Sequence, residues 1–127
     1  MTNARDTLST QKIDGAALQA IASFHKETVT EVASAVASGG VVVVGMSQNP
    51  VVRSARKLLD EAQVPYKYLE YGSYFSQWKK RLAIKLWSGW PTYPQVFVDG
   101  ILVGGYTDLK AFAAKGGLAS KTKPQAN

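Results

Sequence analysis

Four consecutive valines, Val41 to Val44, follow the pair Gly39-Gly40 and constrain this chain more than any other segment. A β-branched residue at every position, rather than at alternate ones, is the pattern of a strand buried on both faces, so helices must cover the sheet above and below. The flanking segments agree. Upstream, Leu18, Ile21 and Ala22, then Val29, Val32, Ala33 and Val36, recur every three or four residues, predicting a helical region from Ile13 to Ser38 in two pieces, stopped by the glycines. Downstream, Asn49-Pro50 supplies a capping side chain followed by proline at the first helical position, and Val52, Ala55, Leu59 and Ala62 mark one helical face.

The rest of the chain continues the alternation. Val64-Pro65 turns into a strand over Tyr66 to Tyr71, and a strand-helix-strand unit of this kind pairs its strands in parallel through a right-handed crossover. Phe75, Trp78, Leu82 and Leu86 stand at helical spacing and predict the inward stripe of a helix, with Lys79, Lys80, Arg81 and Lys85 on more polar positions and Gly89 as its end. Gln95 to Val98, Asp99-Gly100 and Ile101 to Val103 read as a hairpin with a two-residue type I′ turn. Gly104-Gly105 then leads to Thr107 as the expected cap of a last helix through Leu109 and Phe112, ending at Gly116-Gly117. The expected fold is α/β: a mixed four-stranded sheet flanked by helices, with an N-terminal helical extension.

A chain of 127 residues is read as one domain. The expected boundaries are a flexible N-terminus at 1–11, a single domain at 12–118 (a helical extension at 12–38 and a core at 41–118), and a flexible C-terminus at 119–127. The count of cysteines is zero, so this chain supplies no disulfide, no thiolate nucleophile and no cysteine ligand for zinc or an iron-sulfur cluster. One histidine, His25, does not make a multi-histidine metal site, and a surface or capping role is expected for it. Metal ligands are therefore expected to be none. The N-terminal residues lack the apolar stretch of a signal peptide and no segment is long enough to span a bilayer, so no membrane association and a cytoplasmic location are expected.

Charge leaves more room. Fifteen Lys and Arg against nine Asp and Glu give +6, which favours anionic partners or serves solubility. Trp78, Trp87 and Trp90 stand near the basic group Lys79, Lys80, Arg81 and Lys85, an arrangement able to stack single-stranded bases; helix packing explains Trp78 more economically, and nucleic acid is not the expected partner.

From about Val41 to Leu118 the sequence resembles the glutaredoxins of the thioredoxin fold, nearest to their monothiol branch. The resemblance rests on Trp90-Pro91-Thr92-Tyr93-Pro94-Gln95, which stands where the family reads like Trp-Pro-Thr-Phe-Pro-Gln. It rests also on Gly104-Gly105-Tyr106-Thr107-Asp108-Leu109, where the family reads like Gly-Gly-Cys-Asp/Thr-Asp-Leu. The resemblance implies a cis peptide between Tyr93 and Pro94 beside Thr92, exposing backbone that pairs with an extended peptide or with glutathione, whereas base rates alone favour an ordinary trans proline. It implies that N–H groups at Gly105, Tyr106 and Thr107 meet the γ-glutamyl carboxylate and that Asp108 meets its ammonium; the alternative is a plain helix start. Tyr106, in place of a family cysteine, would partly fill the groove. Arg81 and Lys85 match a basic pair near the ligand's glycine carboxylate, the alternative being a solvated helix face.

The resemblance breaks where the chemistry would be. The family carries Cys-Gly-Phe-Ser or Cys-Pro-Tyr-Cys after its first strand, and this chain carries Asn49-Pro50-Val51-Val52, while Met46 aligns with a family lysine. The catalytic set is therefore empty, with Asn49 at the nucleophile position, and iron-sulfur carriage, a property of monothiol members, loses its ligand. The expected function is that of a non-catalytic binding or regulatory module recognising an extended peptide or glutathione, with no cofactor held by this chain alone. The alternatives are a glutathione-linked redox or iron-sulfur role acting through a partner's cysteines, and a basic binder of nucleic acid or acidic protein.

Overall fold

A computed structural model of the protein describes residues 5–122 and places β1 (Val41–Gly45) inside the sheet, buried at every position as the valine run demands. The order of elements is α1 (Gly15–Ser23), α2 (Lys26–Ala37), β1, α3 (Pro50–Glu61), β2 (Tyr66–Glu70), α4 (Trp78–Ser88), β3 (Gln95–Val98), β4 (Ile101–Gly104) and α5 (Tyr106–Ala114). The sheet order is β2-β1-β3-β4, with β1 and β2 parallel and the other two pairings antiparallel. This is the expected mixed four-stranded sheet, and the expected N-terminal helices are present.

Alternation along β1 divides the core in two, because successive side chains leave a strand on opposite faces. Val42 and Val44 pack with Val32, Val36, Ile84 and Phe97 beneath α2 and α4. Val41 and Val43 pack with Ala55, Leu59, Val96 and Leu109 beneath α3 and α5. Each fully buried valine contributes about 1.5–3 kcal/mol.

The two N-terminal pieces meet at His25, which sits at φ 45° ahead of α2 without a side-chain capping bond and with its ring edge-on to Phe24. The hairpin turn is as expected, Asp99 and Gly100 both having positive φ, with Val98 paired to Ile101. Parts of the expected flexible ends, 1–4 and 123–127, lie outside the described residues. Nearer the domain, Ser9 caps a short 3-10 turn at Thr10–Lys12, and a second turn at Ala119–Lys121 is tied back by Lys121 Nζ at 2.6 Å from Asp99.

Two expectations are corrected. The stripe Phe75, Trp78, Leu82 and Leu86 faces outward: Phe75 precedes α4 at 96% exposure, and the other three are 58%, 38% and 67% exposed. Arg81, Ala83 and Ile84 are the buried residues of α4. The helix has a second apolar line, Ala83, Ile84 and Trp87; Ile84 is in the core and the Trp87 ring lies 5.8 Å from that of Phe97, so this line meets the sheet. Periodicity finds apolar lines but does not choose between two. The last helix is capped by Gly105 rather than Thr107, since the Gly105 N–H donates to Asp108 Oδ2 at 3.0 Å and starts the helix earlier.

Candidate recognition groove at the sheet end

Register brings three loops to one end of the sheet. Val44 pairs with Gln95 and Val96 with Gly104, so the loop after β1, the loop before β3 and the turn after β4 emerge together. The first of these ends at the start of α3. Asn49 Oδ1 accepts from the N–H groups of Val51 at 2.9 Å and Val52 at 3.0 Å, satisfying two of the donors that a helix start leaves free. Met46 is buried at 6% exposure. Ser47 gives both its N–H and its hydroxyl to the Gly72 carbonyl, at 2.8 and 3.1 Å. This loop therefore offers capping and packing groups where a reactive side chain would stand.

The loop before β3 contains the cis Tyr93-Pro94 peptide that the resemblance implies. It is pinned from within. Gln95, fully buried, donates from Nε2 to the Trp90 carbonyl at 3.1 Å and accepts from Ser88 Oγ at 2.8 Å, and Ser88 Oγ in turn accepts from Trp90 N–H at 3.1 Å. Tyr93 is buried and its hydroxyl donates to the Arg81 carbonyl at 2.6 Å; burial pushes its pKa above the ordinary tyrosine range, so it is a neutral donor. Thr92 is exposed beside it.

The third wall is the glycine turn. Gly104 has φ +127°, and a Cβ there would fall 2.6 Å from Asp108 Oδ2. Gly105 lies against the Pro94 carbonyl and the Trp90 indole, each 3.7 Å from where its Cβ would stand. The indole Nε1 is buried without a partner among the described residues. The N–H groups of Tyr106 and Thr107, in the first turn of α5, have no intrahelical acceptors.

The proposed site residues are thus only partly assembled. Pro94, Gly105 and Asp108 form one connected wall through the contacts above, with Thr107 exposed beside Asp108. Lys85 is half-buried with Nζ 5.6 Å from the Tyr93 ring centre. Arg81 is buried, and its Nη1 donates to the carbonyls of Tyr71 at 2.8 Å and Ser76 at 2.6 Å, which fastens the loop before α4. Tyr106 turns instead toward α3, packing on the second core cluster and lining a groove with Ser54, Leu58 and Lys110. The Gly105 N–H is also taken, by Asp108. Reading Gln95 as a buried anchor required the tertiary structure, although its place in the motif was the available signal.

A mixed sheet of this order, with a cis-proline loop facing a glycine-initiated helix, is the glutaredoxin type of thioredoxin fold. A family model for glutaredoxins matches residues 41–103. A glutaredoxin-like protein of Dictyostelium discoideum is 53% identical over 88 residues, covering 69% of this chain and 72% of that protein. A glutaredoxin of Ricinus communis is 31% identical over 90 residues, covering 71% of this chain and 88% of its own length. Among solved structures, a buckwheat glutaredoxin in complex with glutathione superposes with a TM-score of 0.66 at 23% identity, over 76% of this chain and 87% of that one. The chain belongs to the glutaredoxin family, and it is a member without cysteine.

The donor set does not fit an iron-sulfur cluster. The residue at the ligand position, Asn49, is a neutral amide whose oxygen already accepts two N–H groups, and cluster iron is held by thiolates. Among the described residues no group of three or more His, Cys, Asp or Glu could hold a metal ion, and no helix is long and apolar enough to cross a membrane.

Proposed function

We propose that this chain is a non-catalytic recognition module whose groove, walled by Thr92, Tyr93, Pro94, Thr107 and Asp108, takes an extended peptide or glutathione. Asn49 carries the reading. Where the family resemblance places the reacting thiol, both hydrogen bonds of the side chain go to closing a helix end, so that position stabilises the scaffold instead of reacting. The opposite wall keeps groups suited to binding: the first-turn N–H groups of α5 at Tyr106 and Thr107 attract a carboxylate, and Asp108 attracts an ammonium. Lys85 is the more accessible cation for a second carboxylate, since Arg81 is buried with its Nη1 on main-chain carbonyls. The motif around Trp90-Pro91-Thr92 supports a place beside the monothiol branch, with a protein or peptide partner in the cytoplasm.

The test is a titration of the isolated protein with glutathione, followed by backbone amide shifts. Shifts gathered at Thr92, Tyr93 and Tyr106 to Asp108 at millimolar ligand support the reading. Turnover of a disulfide substrate by this protein alone overturns it. Asn49→Cys adds a second arm: glutathionylation of the installed thiol shows that the recognition wall still positions the tripeptide. Adding Met46→Lys is ill-advised, because Met46 is buried and an ammonium there would be desolvated.

A further inference from the structure

The outward stripe of α4 does not end in solvent on every side. Beside it, α1 and α2 leave an open groove of about 680 Å³ whose lining includes Ile21 and Phe24 from the α1 side, Val29 from α2, and Leu82, Leu86 and Trp87 from α4. Ile21 is 59% exposed, Leu86 67% and Trp87 40%, an unusual outlay of large apolar surface in one place. The exposed Trp78 stands one turn before Leu82 on the same line of α4, so the apolar line continues past the groove and suits an extended occupant rather than a compact small molecule.

Charge identifies that occupant. Lys26 lines the groove, and α4 adds Lys79 and Lys80, with no acidic residue anywhere along that helix. The acidic residues of α2, Glu27 and Glu31, lie on a different line of that helix from Lys26, Val29 and Thr30, and Glu31 is engaged by the Tyr71 hydroxyl. A second copy of this chain would bring like charge against like, at +6 each. For a nucleic acid strand, Phe24 and Trp87 are flat rings, but Ile21, Val29, Leu82 and Leu86 are aliphatic, so most of the large side chains lining the groove give bases nothing to stack on. With 11 residues α4 is about 16 Å long, which matches about three turns of a helix laid along it.

We propose that the groove between α1, α2 and α4 docks an acidic amphipathic helix of a partner protein, its apolar stripe on Leu82, Leu86, Trp87 and Ile21 and its carboxylates toward Lys26 and Lys79. This surface is separate from the groove at Tyr93 and Pro94 and does not depend on what that groove binds. It is recognition of the helix-in-groove kind, read by anchors at three- and four-residue spacing.

The probe is a capped synthetic helix of about 14 residues, roughly four turns, with leucine at every third and fourth position and glutamate elsewhere, compared with a version carrying lysine for glutamate. Tryptophan fluorescence and amide shifts follow both. The acidic peptide is expected to bind at least about tenfold more tightly than the basic one at low salt. Leu86→Asp, at an exposed position, is expected to remove binding while circular dichroism stays unchanged. The pair Lys26→Glu with Lys79→Glu is expected to reverse the preference between the peptides, which keeps the test decisive should the first variant fold poorly. The proposal is overturned by equal affinity for both peptides, by binding that Leu86→Asp does not touch, or by no shift at about 1 mM peptide. Tighter binding of a single-stranded oligonucleotide lost with Trp78→Ala also overturns it, as does a dimer abolished by Leu86→Asp.

Discussion

Asn49 shows how one side chain trades chemistry for structure. Its amide oxygen holds two N–H groups at the start of α3, and Asn49→Ala leaves both unpaired; denaturant unfolding is expected to register a loss of about 1 kcal/mol. Asn49 was legible as a cap from Asn-Pro alone, since both preferences are local. Arg81 was not. Its guanidinium is buried under the carbonyls of Tyr71 and Ser76, partners 10 and 5 residues away whose positions follow only from how the loop folds back. Arg81→Met is expected to cost about 2–3 kcal/mol by leaving those acceptors without a charged donor, and to speed proteolytic cutting near Tyr74 and Phe75.

At the scale of elements, the turn between β4 and α5 works only because two glycines differ. Gly104 holds φ +127° with Asp108 against it, so Gly104→Ala forces both backbone strain and a collision and is expected to lower stability by about 1–3 kcal/mol. Gly105, at φ −96° with its nearest neighbours 3.7 Å away, is expected to accept alanine with little change in thermal unfolding. The β3–β4 hairpin carries a pH signature. Lys121, and then the Gly40 N–H, hold the Asp99 carboxyl below its ordinary range. A depressed folded-state pKa supplies stability that is present above the unfolded carboxylate pKa and lost as pH falls through the folded one. Asp99→Asn is therefore expected to flatten the stability curve below about pH 4, where the parent loses this contribution.

Across the whole molecule, burial acts alike on tyrosines from different parts of the chain. Burial raises the pKa of Tyr68, Tyr71 and Tyr93 above the ordinary range, with Glu70 and Glu31 reinforcing the first two. Each contributes stability that is complete below the unfolded tyrosine value and declines as pH climbs toward the folded one. Ultraviolet titration is expected to show phenolate lagging in the folded protein above about pH 10, followed by cooperative alkaline unfolding. Coincident, unshifted titration of all tyrosines would contradict this burial.

The valine run, the Asn-Pro cap, the Asp-Gly turn and the glycine stops are local signals, each decided by residues within a few positions, and from them the element order and mixed sheet follow. Motif spacing likewise located the Tyr93-Pro94 loop and the glycine turn. Only the tertiary structure decided which apolar line of α4 meets the sheet, because Ala83, Ile84 and Trp87 compete with Trp78, Leu82 and Leu86 and the packing of α2 and β3 settles it. It also buried Arg81 with its Nη1 on main-chain carbonyls and buried Gln95, since each depends on atoms brought together by folding rather than by neighbourhood in the chain.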